Sequence, residues 1–235
     1  SEIVVVPATA VRRIPSNMNY DAAASLPAAY NTAYVSLVRR GDLQPGETLL
    51  VHGATGGVGL AAVEMGKFLG ANVIATGGTD KKLKVVKEMG ADHVINYTKP
   101  DGTQGGFRER VKELTDGNGA DVIYDTVGGD VFDESVRCIA WGGRILIVGF
   151  TSGRIPTVGV NMPLIKGFSV VGVRAGEFGR RNPKLGKENI EIVMKWAAEG
   201  HLNPHVCASF PLEQAVDAMK MLRDRKVVGK VVINP

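Results

Sequence analysis

Short apolar runs alternate with helix-like patterns along most of the chain. The apolar runs lie at 48–52, 72–76, 93–96, 120–125, 144–149 and 169–173. Helical patterns fall between them, at about 57–69, 79–89, 105–115 and 130–139. Continuous apolar runs joined by crossover helices are typical of parallel strands that are buried on both faces. The pattern therefore predicts an α/β fold built on a doubly wound parallel sheet.

The two ends of the chain do not continue this alternation. Residues 1–19 contain one strand-like run, at 3–6, together with loops. Residues 183–235 contain two amphipathic helical patterns and two strand-like runs, the last near 227–233. We find no repeat of solenoid period and no low-complexity linker. The ends are therefore predicted to form parts of a second packed lobe, outside the doubly wound unit.

A glycine-rich segment follows the first apolar run and precedes a helix-like stretch. Its sequence is Ala54-Thr55-Gly56-Gly57-Val58-Gly59. A glycine loop alone is often only a turn, but strand, loop and helix in one unit can hold a dinucleotide pyrophosphate at the positive end of the helix. Gly56 would let the backbone approach the phosphates, Gly59 would let helix and strand pack tightly, and Ala54 replaces the first glycine of the usual pattern. This setting predicts a dinucleotide site.

The tip of the second strand indicates which dinucleotide is preferred. A site for NAD usually has Asp or Glu there to bind the ribose hydroxyls. This chain has Gly77-Gly78-Thr79 instead. Thr79 can donate a hydrogen bond to a 2′-phosphate, and Lys82 or Lys81 can supply a cation. A solvated lysine face on a surface helix is the alternative for these lysines, but the local chemistry favours NADPH.

Composition and charge narrow the class of protein. The 235 residues, 44% of them hydrophobic, can fill a sizeable core, and the net charge of +4 comes from 28 basic and 24 acidic residues. The basic residues are scattered without an aromatic-interleaved stripe, so nucleic-acid binding is not expected. Cys138 and Cys207 are too few for a disulfide framework and favour a reducing, cytoplasmic setting. No apolar run reaches the length of a membrane span, so no membrane association is expected.

Five ordered segments, which span nearly the whole chain, resemble one protein family. They are residues 27–34, the 54–59 loop, residues 90–97, residues 124–129 and the terminal Gly229-Lys230. Together they resemble the zinc-independent, zeta-crystallin-like quinone oxidoreductases of the medium-chain dehydrogenase/reductase superfamily. Such enzymes have two lobes, with NADPH in the cleft between a Rossmann domain and a GroES-like substrate lobe. The resemblance therefore implies NADPH as the cofactor.

The resemblance also implies a division of the chain into domains. Residues 1–29 resemble the end of the substrate lobe and a connecting helix, residues 30–175 the dinucleotide-binding Rossmann domain, and residues 176–235 the return to the substrate lobe. Most of the GroES-like lobe is accordingly expected to be missing ahead of residue 1. We therefore expect a truncated chain that keeps only remnants of that lobe.

Further positions acquire roles from the resemblance. Thr32 is expected to place a hydroxyl beside the nicotinamide, although a capping or buried threonine would look the same. Tyr97 would lie near the adenosine 2′-phosphate, or would only form the rim of the core. Val127 and Phe150 follow strand ends and should flank the nicotinamide at the carboxyl edge of the sheet. Lys230 would lie near the pyrophosphate, unless it is simply solvated.

Zinc ligands are not expected in this chain. Zinc-dependent relatives need Cys or His just before the cofactor domain. The residues at that point are Ala28-Ala29-Tyr30. The four histidines form no local ligand set and are interpreted as structural or exposed: His52, His93, His201 and His205.

The predicted reaction follows from the cofactor and the resemblance. A hydride would pass from NADPH to a quinone or to an α,β-unsaturated carbonyl, with the protein supplying orientation. No catalytic residue is predicted, because the groups that contact the small-molecule substrate are expected in the absent lobe. One alternative is a truncated, catalytically incomplete module that binds NADPH and dimerises. A weaker alternative is a side role in RNA binding.

The last apolar run of the sheet predicts how the chain assembles. Its sequence is Phe168-Ser169-Val170-Val171-Gly172-Val173. This strand would form the open edge of the sheet, and an uncovered apolar edge invites pairing with another strand. Pairing with its own copy would extend the sheet across a two-fold axis, as the resemblance also implies. We therefore expect a homodimer.

Overall fold

The structure is a computed structural model that describes residues 3–235. Its helices are α1 Tyr20–Tyr34, α2 Gly57–Phe68, α3 Asp80–Glu88, α4 Arg108–Leu114, α5 Gly129–Cys138, α6 Asn161–Lys166, α7 Ala175–Arg181, α8 Pro183–Ala198 and α9 Ala215–Arg223. Its strands are β1 Thr48–Val51, β2 Asn72–Gly77, β3 His93–Asn96, β4 Ala120–Asp125, β5 Ile139–Ile147, β6 Ser169–Gly172, β7 Val206–Pro211 and β8 Lys230–Asn234. A π-helical turn, Val35–Arg40, continues α1, and short 3-10 turns lie at Ala8–Ala10 and Leu212–Gln214.

Six strands form one parallel sheet, in the order β3-β2-β1-β4-β5-β6. In β1, Leu50 pairs with Ile74 of β2 on one side and with Ile123 of β4 on the other. The chain runs outward from β1 to β3 and then crosses back to β4, so the strand order reverses between β1 and β4. The predicted doubly wound Rossmann fold is therefore confirmed. The loops after β1 and β4 meet at the edge where such folds bind ligands.

Helices cover both faces of this sheet because its strands are apolar on both sides. Leu49 and Val51 of β1 pack into one buried cluster with residues of α1 and α2. Leu50, which lies between them, packs into a second cluster with Phe107 and Val111. Successive side chains of a strand point to opposite faces, which accounts for this division. One continuous apolar run thus contributes to two cores.

Most predicted elements agree with the structure, but β5 begins earlier than its apolar run. It starts at Ile139, which pairs with Ala120 across a register irregularity before regular pairing resumes at Arg144. The irregular part contains Gly142 and Gly143. Glycines within a strand mark bulges and interrupt an apolar pattern, so a search for apolar runs does not detect this part of β5.

The predicted strand at residues 3–6 is wrong. The segment has no regular secondary structure, and its side chains are exposed, Val5 by 95%. β-branched residues favour an extended backbone, but a strand forms only when it joins a ladder. This segment joins neither of the two sheets described here. Local preference for extended backbone is therefore not enough to make it a strand.

The C-terminal flank contains the two helices and two strands that were predicted. β8 pairs in parallel with β7, in a separate two-stranded sheet. The helix α8 differs from the expectation for the flanks, because Val193 and Ala197 are buried in the same cluster as β1. This helix therefore packs against the Rossmann unit. The division at residues 29 and 175, and the assignment of the flanks to a second lobe, stay predictions.

Candidate functional site

The turn from β1 into α2 is so tight that two of its positions accept only glycine. Gly53 has a φ of 61°, and a Cβ there would lie 2.5 Å from Thr126 Oγ1. A Cβ on Gly59 would lie 2.3 Å from the carbonyl oxygen of Gly53. The tight packing expected at Gly59 is therefore present. The sequence reasoning does not single out Gly53, because its positive φ depends on how the loop packs against the end of β4.

The backbone is open to solvent where α2 begins. Gly56 precedes the helix with extended backbone, and a Cβ there would have no neighbour closer than the Gly53 oxygen, at 3.5 Å. The helix starts at Gly57, so the N–H groups of its first turn lack acceptors within the helix. The positive end of the helix faces the same space. The exposed Gly56 and the N–H groups of the first turn therefore offer backbone donors to an anion here.

The other loop residues are fixed by their surroundings. Ala54 is fully buried and donates its N–H to the carbonyl of Thr76, at 3.0 Å. Thr55 accepts a backbone hydrogen bond from Gly229, at 2.9 Å, and Val58 is half-buried in the first turn of α2. The loop is thus held by β2 on one side and by the C-terminal segment on the other.

We call residues 225–230 the strap, because this C-terminal segment crosses the glycine loop. Gly229 forms a parallel β-bridge with Gly56. The side chain of Lys230 lies against Gly57, where an added Cβ would be 2.5 Å from Lys230 Cε. The strap therefore brings Lys230 to the start of α2, where the pyrophosphate is predicted.

Lys82 of α3 is bound to the strap. Its Nζ donates to the carbonyl of Val227, at 3.1 Å, and to the carbonyl of Arg225. Partial burial lowers the pKa of the Lys82 ammonium, and the nearby Arg225 guanidinium adds to this effect. A 2′-phosphate would share the ammonium with these carbonyls or displace them. The role of Lys82 in cofactor binding stays a prediction.

The end of β2 carries no carboxylate before Asp80. Gly77 is buried, Gly78 is half-buried and Thr79 is exposed immediately before α3. The Asp80 carboxylate, which the sequence reasoning does not weigh, accepts a hydrogen bond from Asn96 Nδ2 at 3.0 Å. That contact directs the carboxylate towards β3. The three residues at 77–79 therefore offer a 2′-phosphate a hydroxyl and no negative charge.

Tyr97 and Arg225 face this same region. Tyr97 is buried and donates its N–H to the carbonyl of Gly77, at 3.1 Å. Burial, together with the charge of Asp125, raises the pKa of Tyr97, whereas the Arg225 guanidinium lowers it. Arg225 is exposed, has a φ of 52° and forms no ion pair within residues 3–235. The sequence reasoning missed this arginine, since no local pattern links it to β2.

Two predicted residues, Val127 and Phe150, lie in the loops that follow β4 and β5, and a third, Thr32, lies in α1. Val127 is buried and donates its N–H to the Asp125 carboxylate, at 2.7 Å. Phe150 is 40% exposed and lies against Gly128, where a Cβ would be 2.9 Å from its ring. The structure thus brings the β4 and β5 loops together. The Thr32 hydroxyl donates to a carbonyl of its own helix, at 2.8 Å, so its contact with nicotinamide stays a prediction.

A buried polar network lies beneath the glycine loop. Nδ1 of His52 is 2.8 Å from Thr76 Oγ1, and Nε2 is 2.8 Å from Ser135 Oγ. Burial lowers the pKa of His52 to about 3, so the imidazole is neutral. This histidine is fully buried and lies one residue before the loop.

Residues 3–235 contain no group of three or more His, Cys, Asp or Glu side chains that could hold a metal ion. Both cysteines, Cys138 and Cys207, are free. Within the same residues, no helix has the length and apolar character needed to cross a lipid bilayer.

The sequence is similar to known oxidoreductases over its whole length. A family described as zinc-binding dehydrogenase matches residues 57–198. The quinone oxidoreductase-like protein 2 homolog of Nematostella vectensis is 42% identical over 236 residues, 100% of this chain and 63% of that protein. Acryloyl-coenzyme A reductase of Sulfurisphaera tokodaii is 30% identical over 236 residues, 100% of this chain and 65% of that protein. The chain therefore spans about two thirds or less of the length of these relatives.

Solved structures share the fold at similar identity. A mycobacterial protein in complex with NADPH matches with a TM-score of 0.87 and 30% identity, over 98% of this chain and 69% of its own. An NAD-dependent alcohol dehydrogenase matches with a TM-score of 0.82 and 32% identity, over 99% of this chain and 64% of its own. Fold and glycine loop together define a dinucleotide-binding domain of the dehydrogenase type. The chain belongs to the medium-chain dehydrogenase/reductase superfamily, among the quinone oxidoreductase-like proteins, as predicted. That it works without zinc stays a prediction.

Proposed function

We propose that the chain binds NADPH at the carboxyl edge of the sheet and serves hydride transfer to a quinone or to an α,β-unsaturated carbonyl. The observation that carries this proposal is the open backbone at Gly56, above a turn that closes tightly at Gly53 and Gly59. A pyrophosphate in that space would meet the free N–H groups and positive end of α2. Bound nicotinamide would supply the hydride, and the chain would orient it.

The preference for NADPH is supported by the charges near the end of β2. The Arg225 guanidinium interacts electrostatically both with the buried Tyr97 and with the Lys82 ammonium. Carboxylates would repel a 2′-phosphate, and the 77–79 segment carries none. The one that follows, Asp80, is held by Asn96. A 2′-phosphate therefore gains charge-assisted contacts here that a ribose hydroxyl cannot make.

The two acceptor classes are supported by the names of the relatives. One relative is described as quinone oxidoreductase-like, and another as a reductase of an acryloyl thioester, which is an α,β-unsaturated carbonyl compound. We further propose that the reaction does not use zinc, since Ala28-Ala29-Tyr30 precede the cofactor domain where zinc-dependent relatives need Cys or His. The two free cysteines support a cytoplasmic setting.

The alternative function is an NADPH-binding and dimerising module without turnover. It is supported by the exposure of Phe150 and Ile155 beside the loops where nicotinamide is expected. An open site leaves water in contact with the reacting atoms and weakens electrostatic stabilisation of the transition state.

Calorimetry with NADPH, followed by NADPH oxidation with panels of quinones and enones, tests both functions. Saturable oxidation supports the enzyme, and binding without oxidation supports the module. If NADPH does not bind at millimolar protein and cofactor, both are wrong. Gly56→Val serves as the control. The fold has room for a side chain at this position, but the side chain would occupy the space proposed for the pyrophosphate.

A further inference from the structure

His52 is the point at which four elements of the cofactor edge are joined. Its backbone N–H donates to the carbonyl of Tyr124, at 2.9 Å, and its carbonyl accepts from Thr126 Oγ1, at 3.2 Å. Its ring nitrogens contact Thr76 of β2 and Ser135 of α5. Every polar group of this residue is therefore satisfied, each by a different partner.

The direction of the hydrogen bonds follows from the Ser135 hydroxyl. Ser135 Oγ donates to the carbonyl of Val131, at 2.7 Å, so its oxygen is left to accept. His52 Nε2 therefore carries the proton and donates to Ser135. Nδ1 is left to accept from the Thr76 hydroxyl at 2.8 Å, which is closer than the other acceptor of that hydroxyl, the Val51 carbonyl at 3.4 Å. Because burial keeps the imidazole neutral, with its pKa lowered to about 3, this arrangement persists throughout the physiological pH range.

The three side chains belong to elements that lead to three different parts of the proposed cofactor site. His52 precedes Gly53 and the pyrophosphate loop, and Thr76 precedes Gly77 at the adenosine end. Ser135 lies on α5, whose N-terminus follows Val127 on the nicotinamide side. An apolar side chain could fill the same space beside Phe107, whose ring centroid is 4.7 Å away. A buried imidazole is costly unless both nitrogens are bonded, so its presence requires a fixed spacing of these partners.

We propose that His52 is a positioning residue for the dinucleotide. Its Thr76 contact sets the distance from the pyrophosphate loop to the adenosine end, and its Ser135 contact sets the distance to the nicotinamide side. The inference rests on the proposed binding of NADPH. It adds that the two halves of the cofactor are aligned through separate hydrogen bonds of one neutral side chain.

Binding of NADPH and of adenosine 2′,5′-bisphosphate, which lacks the nicotinamide half, separates the two contacts. Ser135→Ala should lower the affinity for NADPH about five- to tenfold and leave the affinity for the bisphosphate unchanged. It should also alter the nicotinamide fluorescence of bound NADPH. Thr76→Val should weaken both ligands by a similar factor. Thr76→Ser keeps the hydroxyl and should restore wild-type affinity.

Thr115→Val is the matched control. This buried hydroxyl at the end of α4 donates to the carbonyl of Val111, at 2.8 Å, and accepts from the N–H of Gly119, at 2.9 Å, at the opposite edge of the sheet. The control should lower the melting temperature but leave the affinity for NADPH within twofold. The inference is overturned if Thr115→Val lowers the affinity for NADPH as much as the test variants do. It is also overturned if Ser135→Ala and Thr76→Val both bind NADPH with wild-type affinity. If the wild-type chain binds neither ligand, the proposed function itself is wrong, and the inference falls with it.

Discussion

The glycine-loop region and the β6 edge of the same sheet are built in opposite ways. Around the loop, Ala54 and Gly229 donate backbone hydrogen bonds within the chain, and glycines pack against backbone atoms. Along the β6 edge, Val170 is 41% exposed, and the nearby Trp141 and Leu164 are 78% and 81% exposed. The first region is held together by hydrogen bonds and close backbone packing within the chain, whereas apolar side chains remain uncovered in the second.

This difference suggests that cofactor binding needs only one chain, whereas the β6 edge needs a partner chain to cover it. A site whose walls and donors come from one chain can bind its ligand as a monomer. An exposed apolar edge strand presents unpaired backbone groups and apolar surface that favour association. We therefore expect cofactor binding and assembly to respond to different substitutions.

The largest effect is expected from two valine substitutions in the loop. Gly56→Val places its side chain in the open phosphate space, so NADPH affinity should fall by roughly two orders of magnitude while the fold is kept. Gly59→Val forces a Cβ to within 2.3 Å of the Gly53 carbonyl and should destabilise the fold itself. The expected loss of unfolding free energy is about 1–3 kcal/mol or more. Calorimetry measures the loss of binding in Gly56→Val, and thermal unfolding measures the loss of stability in Gly59→Val. If Gly56→Val binds NADPH with wild-type affinity, the phosphate site lies elsewhere.

The β6 edge is tested by proline at position 170. The N–H of Val173 donates to β5, so by alternation the Val170 N–H faces the open side. Val170→Pro removes this outward donor without removing one that pairs with β5, and Val170→Thr keeps it. We expect light scattering to report a dimer for the wild type and Val170→Thr, and a monomer for Val170→Pro with NADPH affinity retained. A wild-type chain that is monomeric at all concentrations would contradict the proposed dimer.

The adenosine end is tested by Lys82→Ala, measured with NADPH and with NADH. Loss of a contact with the 2′-phosphate lowers only the affinity for NADPH, by about five- to 150-fold, towards the lower value for an accessible lysine. Loss of the contact with the strap carbonyls would lower both affinities equally. Lys84→Ala, which removes an exposed lysine further along α3, serves as the control. Equal wild-type affinities for the two cofactors would refute the proposed preference.

A smaller effect is expected from Glu64, which lies on α2 behind the loop. Its carboxylate accepts hydrogen bonds from Tyr30 Oη and from the N–H of Asn203, the latter at 2.8 Å. Burial raises the pKa of Glu64 from 4.5 to about 7, although both hydrogen bonds oppose the rise. A raised pKa means that the folded state disfavours the ionised form. Its contribution to stability is therefore complete below about pH 4.5 and is lost as the pH rises through 7.

Denaturant unfolding between pH 5 and 8 measures this contribution. Between these pH values the wild type should lose up to about 2.5 kcal/mol more unfolding free energy than Glu64→Gln, with a smaller loss if Tyr30 shares the proton. Glu88→Gln, on the exposed end of α3, should follow the wild-type profile. Parallel profiles for wild type and Glu64→Gln would show that this carboxyl is not perturbed.

The sequence predicts the sheet well at its centre, because β1, β2 and β4 are buried on both faces and therefore appear as unbroken apolar runs. The glycine loop is equally local, since strand, loop and helix are adjacent in the chain. The apolar pattern of residues 3–6 predicts a strand wrongly, because it does not reveal whether a neighbouring strand is present. The short helices α6 and α7 were missed because each covers only two turns or fewer, too short for a clear period.

The strap could not have been predicted from local patterns. Gly229 meets Thr55, and Arg225 approaches Tyr97, only after the chain has folded. The spacing between such positions in the sequence carries no signal of their contact. The same limit applies to His52, whose two partners lie on β2 and α5. Residues that assemble a site across elements become visible only in three dimensions.

The central claim is tested most directly by a crystal structure of the wild-type chain with NADPH. The account predicts the pyrophosphate within hydrogen-bonding distance of the backbone N–H groups at Gly57 and Val58. It also predicts the 2′-phosphate among Lys82, Arg225 and Tyr97. Cofactor density at another surface, or a cleft that stays empty in crystals grown with saturating NADPH, would contradict it.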